Sequence, residues 1–218
     1  MTGECTATLI PEYGIIHLQN ALNEEEQRAL WERTKPHVKD PIGKTTGFSA
    51  FAVSSGTSHR DEVFDEFGHL LFSRSAEELL KQMTEEDCKK EPSYKRLSQI
   101  VSGEKPIKLN CVAGNYYRAD AILANHCDMN KVFFTMSVAL GDDIEFTVGK
   151  KTHRPMKNER SGAGRSFIMK SGDAVFFDGG SIPHEVGRIL PKTAPPWWDS
   201  AKVRNGARCV VLFREDLS

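Results

Sequence analysis

The chain of 218 residues has no Cys-x-x-C pair. Its five cysteines, Cys5, Cys88, Cys111, Cys127 and Cys209, are odd in number and scattered. This pattern argues against a disulfide framework or a zinc cluster, and makes a reducing intracellular compartment, cytoplasm or nucleus, the expected setting. No apolar stretch is long enough to span a bilayer, so no membrane partner is expected. The opening Met-Thr-Gly-Glu-Cys lacks a basic segment followed by an apolar run, and gives no sign of a signal or transit peptide. Excess charge is lacking as well, with a formal net charge of −1. That excludes nucleic-acid binding by bulk electrostatics and leaves room only for a local basic patch. Apolar residues at 39% and charged residues at 27% supply an ordinary core and surface. The expectation is a soluble monomer of one domain, with or without an extension.

The first 105 residues read as helix-rich. Asn23 followed by Glu26 forms a capping-box start, and Gln27, Leu30, Trp31 and Thr34 then share one helical face until Pro36. A second helix is expected from Ser75 to about Met83. A third follows Ser93, with Leu97, Ile100 and Val101 on one side and Gly103 as its stop. From residue 106 to 218 the pattern changes to short β-branched and aromatic runs separated by Gly-Asp, Ser-Gly-Asp and Gly-Gly turns. These predict strands over 107–112, 132–140, 144–148, 167–170, 174–177, 185–190 and 209–213, and hence an antiparallel sandwich or jelly roll. Residues 192–205 read as a long loop.

Chemistry-bearing residues concentrate in this second half. His126 and Asp128 are two positions apart, so on extended backbone they share a face. With His184 they can supply two imidazoles and one carboxylate to Fe(II) and leave positions open for O2 and a cosubstrate. Taken singly, either histidine reads equally well as a loop or turn residue. Arg208 and Arg214 are an even number of positions apart on one strand, with Val210 and Leu212 between them. Because Cys209, Val211 and Phe213 are apolar too, that strand reads as buried on both faces, and buried guanidiniums need anionic partners. Their planar forks suit carboxylates. Asn115 and Tyr117 again share a face, and an amide and a phenol there could finish the hydrogen bonding of the same dicarboxylate.

The order Asn115-x-Tyr117, His126-x-Asp128, His184, Arg208-x5-Arg214 resembles the AlkB family of Fe(II)- and 2-oxoglutarate-dependent dioxygenases. The segments Ser137–Gly141, Ser171–Val175 before Gly179-Gly180, and Phe213-Arg214 are similar to that family's core, and Asn20–Leu30 is so more loosely. The resemblance implies an α+β chain: a double-stranded β-helix (jelly roll) over 106–218, with 1–105 as a helical N-terminal extension and substrate lid. It implies His126, Asp128 and His184 as the catalytic iron ligands. Arg214, helped by Asn115, would hold the 2-oxoglutarate carboxylate near the metal, and Arg208 with Tyr117 the distal one. It implies oxidative dealkylation of N-alkylated nucleobases such as N1-methyladenine or N3-methylcytosine in DNA or RNA, with single-stranded or unpaired alkylated nucleic acid as partner. Two positions depart from the family's usual pattern. Val210 stands where an asparagine is common, and Asn130, near the expected substrate base, stands where an acid is common.

An enzyme that acts on a base must unstack it and hold it between flat groups. Phe48 and Phe51 are the candidate aromatics, although apolar aromatics at such spacing more often belong to the core. The segment 150–165 holds six Lys/Arg and one acid. It reads either as a mobile basic loop along a phosphate backbone, through Lys150, Lys151 and Arg154, or as a solvated hairpin tip. Two other readings stand beside the dealkylase: the same oxygenase chemistry on a protein side chain or small molecule, and a metal-binding jelly roll without oxygenase activity.

Overall fold

The computed structural model describes residues 3–39, 41, 47–55, 62–128, 134–203 and 206–215. The strands are β1 (Thr6–Ile10), β2 (Ile15–Gln19), β3 (Phe48–Ser55), β4 (Leu109–Tyr117), β5 (Leu123–His126), β6 (Phe134–Gly141), β7 (Asp143–Val148), β8 (Arg165–Met169), β9 (Ala174–Asp178), β10 (His184–Leu190) and β11 (Arg208–Glu215). The helices are α1 (Glu24–Thr34), α2 (Glu62–Gln82), α3 (Glu85–Cys88), α4 (Pro92–Val101) and α5 (Pro196–Ala201). Among the described residues the strands form a seven-stranded sheet, ordered β1-β2-β9-β6-β11-β4-β3, and a four-stranded sheet, β5-β10-β7-β8. Every pairing between these strands is antiparallel. This is the expected α+β jelly roll. No helix among the described residues is long and apolar enough to cross a membrane.

The large sheet carries a core on each face. Helix residues Leu30, Trp31, Phe72 and Leu97 pack with Val138 and Val211 on one face. On the other, Phe146, Val148 and Val186 of the small sheet meet Ala139, Phe177 and Val210. Strand β6 lies mid-sheet between these layers, so every one of its residues is buried. That double burial explains why β6 and β11 read as continuous apolar runs and not as alternating ones.

The N-terminal third departs from the helical expectation. β1, β2 and β3 all belong to the large sheet, β2 beside β9 and β3 on the free edge of β4. Helix α1 forms as read: Asn23 Oδ1 accepts from Glu26 N at 3.0 Å, Glu26 Oε2 accepts from Asn23 N at 2.8 Å, and Gln27, Leu30, Trp31 and Thr34 are buried. α2 starts at Glu62, well before Ser75. Its early turns include Gly68, a weak helix former, where a Cβ would lie 2.2 Å from Leu109 Cδ1 and would displace that side chain. α4 ends at Val101, and Gly103, just past its C-cap Ser102, has a φ of +71° that favours glycine. Val101, expected on the buried side of α4, is 45% exposed.

One buried ion pair ties the helical layer to the last strand. Arg96 donates to both carboxylate oxygens of Glu215 at 2.6 Å, and to the carbonyls of Lys105 and Pro106. Lys108 N donates to the same carboxylate. Both side chains are almost fully buried. Arg96→Met would leave Glu215 charged in the interior, at an expected cost of about 3–5 kcal/mol. The double variant with Glu215→Met should recover most of that loss, as read from urea midpoints.

Candidate metal and cosubstrate site

His126 closes β5 and His184 opens β10, and the two lie opposite each other in register. Each imidazole is held by its own strand: Nδ1 of His126 lies 2.8 Å from Ala124 O, and Nδ1 of His184 lies 3.0 Å from Ile182 O. A carbonyl can only accept, so each Nδ1 carries the hydrogen and each Nε2 is left with a free lone pair. Both Nε2 atoms face Asp128 Oδ1, at 4.0 and 3.9 Å. The three ligand atoms lie within 4.8 Å of one another. Burial lowers the His184 pKa to about 4, against the opposing pull of Asp128, so this ring is neutral near pH 7. Neutral imidazole is the form that binds metal. The donor set, two nitrogens and one carboxylate with fixed lone pairs, fits Fe(II).

Asp128 is fixed by both neighbouring chain segments. Its backbone N donates to Gly179 O at 2.7 Å, and Oδ1 accepts from Arg214 Nη2 at 3.0 Å. Thr135 Oγ1 stands 3.5 Å from Oδ2. Gly179 is required here for space: a Cβ on it would lie 2.5 Å from Asp128 Oδ2 and 3.0 Å from Thr135 Oγ1. Gly179→Ala must push the carboxylate away from the histidines. A loss of metal affinity of about 10–100-fold is expected, the range for disturbed outer-shell partners. Isothermal titration with a divalent metal checks it, and unchanged affinity would refute it.

Beside these ligands a cavity opens between the sheets. It is lined by Asn115, Tyr117, Arg214 and, among apolar groups, Phe146, Phe177 and Leu212. Thr135, Ser137, Leu123 and Val186 complete it and were not singled out in the sequence. Their strands are buried on both faces or too short to show which way a residue points. Asn115 Nδ2 donates to Tyr117 Oη at 3.2 Å. Burial pushes the Tyr117 pKa up to about 12, so the phenol keeps its proton and can donate.

Arg208 and Arg214 follow the even-spacing expectation only in part. Arg214, Leu212 and Val210 line the cavity, whereas Arg208 does not reach its lining. It sits opposite Tyr117 in register, with Nη1 donating to Asp142 O at 3.0 Å. Its Nε and that of Arg214 are buried without a hydrogen-bond partner among the described residues. Burial lowers the Arg208 pKa to about 10, a measure of how poorly its charge is answered. Two under-satisfied guanidiniums, an amide and a phenol make an environment suited to a dicarboxylate, and 2-oxoglutarate fits that description.

The substrate-side expectations fare unevenly. Phe48 is partly buried on the cavity side, its ring 5.4 Å from that of Tyr117. Phe51 is a correction. It pairs with Gly114 on the opposite face and is buried in the helix–sheet core, where it cannot stack on a base beside the metal. Asn130 lies outside the described residues. Lys150, Lys151 and Arg154 are exposed, but the basic segment is less free and less charged than expected. Lys150 lies 3.7 Å from Glu185, Arg160 pairs with Glu91 at 2.7 Å, and Arg165 pairs with Glu12 at 2.8 Å. Half of its positive charge is thus answered by acids distant in sequence.

No family profile and no curated protein sequence matches the chain. Solved structures do. OsALKBH1 aligns at a TM-score of 0.68 and 21% identity, over 95% of this chain and all of its own (100%). A Pseudomonas putida prolyl-4-hydroxylase aligns at 0.53 and 12% identity, over 94% of each chain. The epimerase SnoN, solved with Fe3+, alpha ketoglutarate and nogalamycin RO, aligns at 0.52 and 15% identity, over 94% of this chain and 80% of its own. In fold, this chain is similar to OsALKBH1 and to solved structures of the 2OG-Fe(II) oxygenase family.

Proposed function

We propose that this chain is an Fe(II)- and 2-oxoglutarate-dependent dioxygenase that removes alkyl groups from ring nitrogens of nucleobases in single-stranded or unpaired nucleic acid. The observation that carries the oxygenase reading is the convergence of His126, Asp128 and His184 beside the half-buried Arg214, with the fully buried, under-satisfied Arg208 behind the cavity lining. A metal-binding jelly roll without oxygenase activity would need the three ligands but would have no use for those arginines. Iron held by His126, Asp128 and His184 would supply the chemistry that couples conversion of 2-oxoglutarate and O2 to succinate and CO2 with hydroxylation of the N-alkyl carbon, which would then leave as an aldehyde. The chain's own groups have separate tasks. His126, Asp128 and His184 hold the metal. Arg214 and Asn115 orient one carboxylate of the cosubstrate, and Tyr117 with Arg208 answers the other. Phe146, Phe177, Val186 and Leu212 keep water from the inner cavity.

Nucleobase substrates are supported by the AlkB resemblance, by the OsALKBH1 likeness across nearly the whole chain, and by exposed Lys151, whose carbonyl accepts from Asn125 next to His126, with exposed Arg154 in the same segment. A methyl group on a pairing nitrogen weakens pairing, so such a base costs less to extrude, and a single strand avoids that cost. The test is a panel of methylated oligonucleotides given to iron-loaded protein. Formaldehyde should appear in step with succinate, and binding should weaken as salt rises, because phosphate contacts release counterions. If the protein makes succinate but no oligonucleotide yields formaldehyde, the nucleobase assignment falls. The same oxygenase acting on a protein side chain or small molecule then takes its place.

A further inference from the structure

The segment that follows β7 does more than carry charge. The order β5-β10-β7 places His126, His184 and Val148 side by side in register. Directly after Val148 the chain turns at Gly149, whose φ is +73°. It then runs across the ends of β10 and β5 as a strap. Gly149 N donates to the carbonyl of Pro183, the residue before His184, at 2.8 Å. The side chain of Asn125, the residue before His126, donates from Nδ2 to the carbonyls of Lys150 at 2.6 Å and Lys151 at 3.1 Å. Farther along, Arg160 N donates to Ser181 O at 2.7 Å, inside the loop that delivers His184. One segment is therefore bonded to the neighbours of both metal histidines.

The strap is also backed from below. A Cβ on Gly149 would lie 2.3 Å from the Tyr13 ring, and Gly164 N donates to Tyr13 Oη at 3.3 Å. Gly162 N donates to Gly149 O at 2.7 Å and closes the loop on itself. Asn125 accepts a cost to hold the strap: its Oδ1 is buried with no hydrogen-bond partner among the described residues. Leaving an acceptor dry is unfavourable, so the amide orientation is set by the two carbonyls that take its hydrogens.

We propose that this strap fixes the spacing of the two metal histidines, with Asn125 as a positioning residue that acts through backbone carbonyls and not through the lysine charges. The inference rests on the metal part of the functional reading and on no choice of substrate. Outer-shell groups that orient ligands typically change metal affinity by about 10–100-fold when removed. The test titrates Co(II) into the metal-free full chain and follows its visible absorption, at a temperature where circular dichroism shows each variant folded. Asn125→Leu should weaken Co(II) binding by about 10–100-fold and alter the band pattern. Lys157→Gln, which removes a charge from the same segment and no strap bond, should leave both unchanged. If Asn125→Leu does not fold, Asn125→Ala decides by the same readout. Wild-type affinity and bands in the folded Asn125 variant would overturn the strap. Failure of the wild type to bind Co(II) more tightly than His126→Ala would instead overturn the metal site itself.

Discussion

Asp128→Ala should reduce succinate formation from 2-oxoglutarate to background while the chain stays folded. The carboxylate is the one acid among the three ligands, and its Oδ1 faces both imidazole Nε2 atoms at about the same distance, 4.0 and 3.9 Å. Removing it deletes a metal ligand outright. The loss of affinity should therefore exceed the roughly 100-fold that marks the upper range for outer-shell partners. It also strips Arg214 of its 3.0 Å contact. A guanidinium freed in this way remains able to draw 2-oxoglutarate. Cosubstrate binding should thus persist in some degree while turnover vanishes, a split that equilibrium dialysis and a succinate assay together resolve. Succinate produced at the wild-type rate would exclude Asp128 from the metal site.

Arg208→Met should act with opposite signs on stability and on cosubstrate binding. The guanidinium is fully buried, bonded through Nη1 to a backbone carbonyl, with Nε unpartnered among the described residues. An incompletely answered buried charge stabilises little, and a well-packed apolar replacement is often neutral or stabilising by about 1–4 kcal/mol. The free protein should therefore melt no lower than wild type. On the proposed assignment of Arg208 to the distal carboxylate, the wild-type arginine gains its anion when 2-oxoglutarate binds, and the variant leaves that carboxylate without its cation. A penalty of about 3–5 kcal/mol corresponds to a loss of affinity of roughly a hundredfold or more. Calorimetric titration of both proteins with 2-oxoglutarate reads it. Equal affinity would show that Arg208 is a structural cation, consistent with its position behind the cavity lining.

The catalytic half was legible where period-two spacing applied. His126 and Asp128, Asn115 and Tyr117, and Val210, Leu212 and Arg214 share faces as even spacing requires. His184 could be joined to them only through the family resemblance, because register between β5 and β10 brings it there and no local spacing does. The same parity rule could have shown that Phe48 and Phe51 cannot both face the site. Phe48 and Phe51 are an odd number of positions apart, so on one strand they must face opposite ways, and Phe51 went to the core. Strands β1 to β3 were missed because short alternating segments beside strong helix signals carry little pattern of their own. The partners of Arg160 and Arg165 were invisible for another reason: Glu91 and Glu12 are far away in sequence, and only the tertiary fold brings them there. Gly179 was legible as a turn glycine, but its closeness to the metal carboxylate is a fact of tertiary packing.

One assay decides whether His126, Asp128 and His184 hold a working iron. Metal-free protein is incubated with 2-oxoglutarate and O2, and succinate is measured before and after one equivalent of Fe(II), with a chelated sample alongside. Succinate should be absent without the metal, appear on its addition, and stay absent in the chelated sample. Chelated protein that turns over as fast as iron-loaded protein would contradict the assignment.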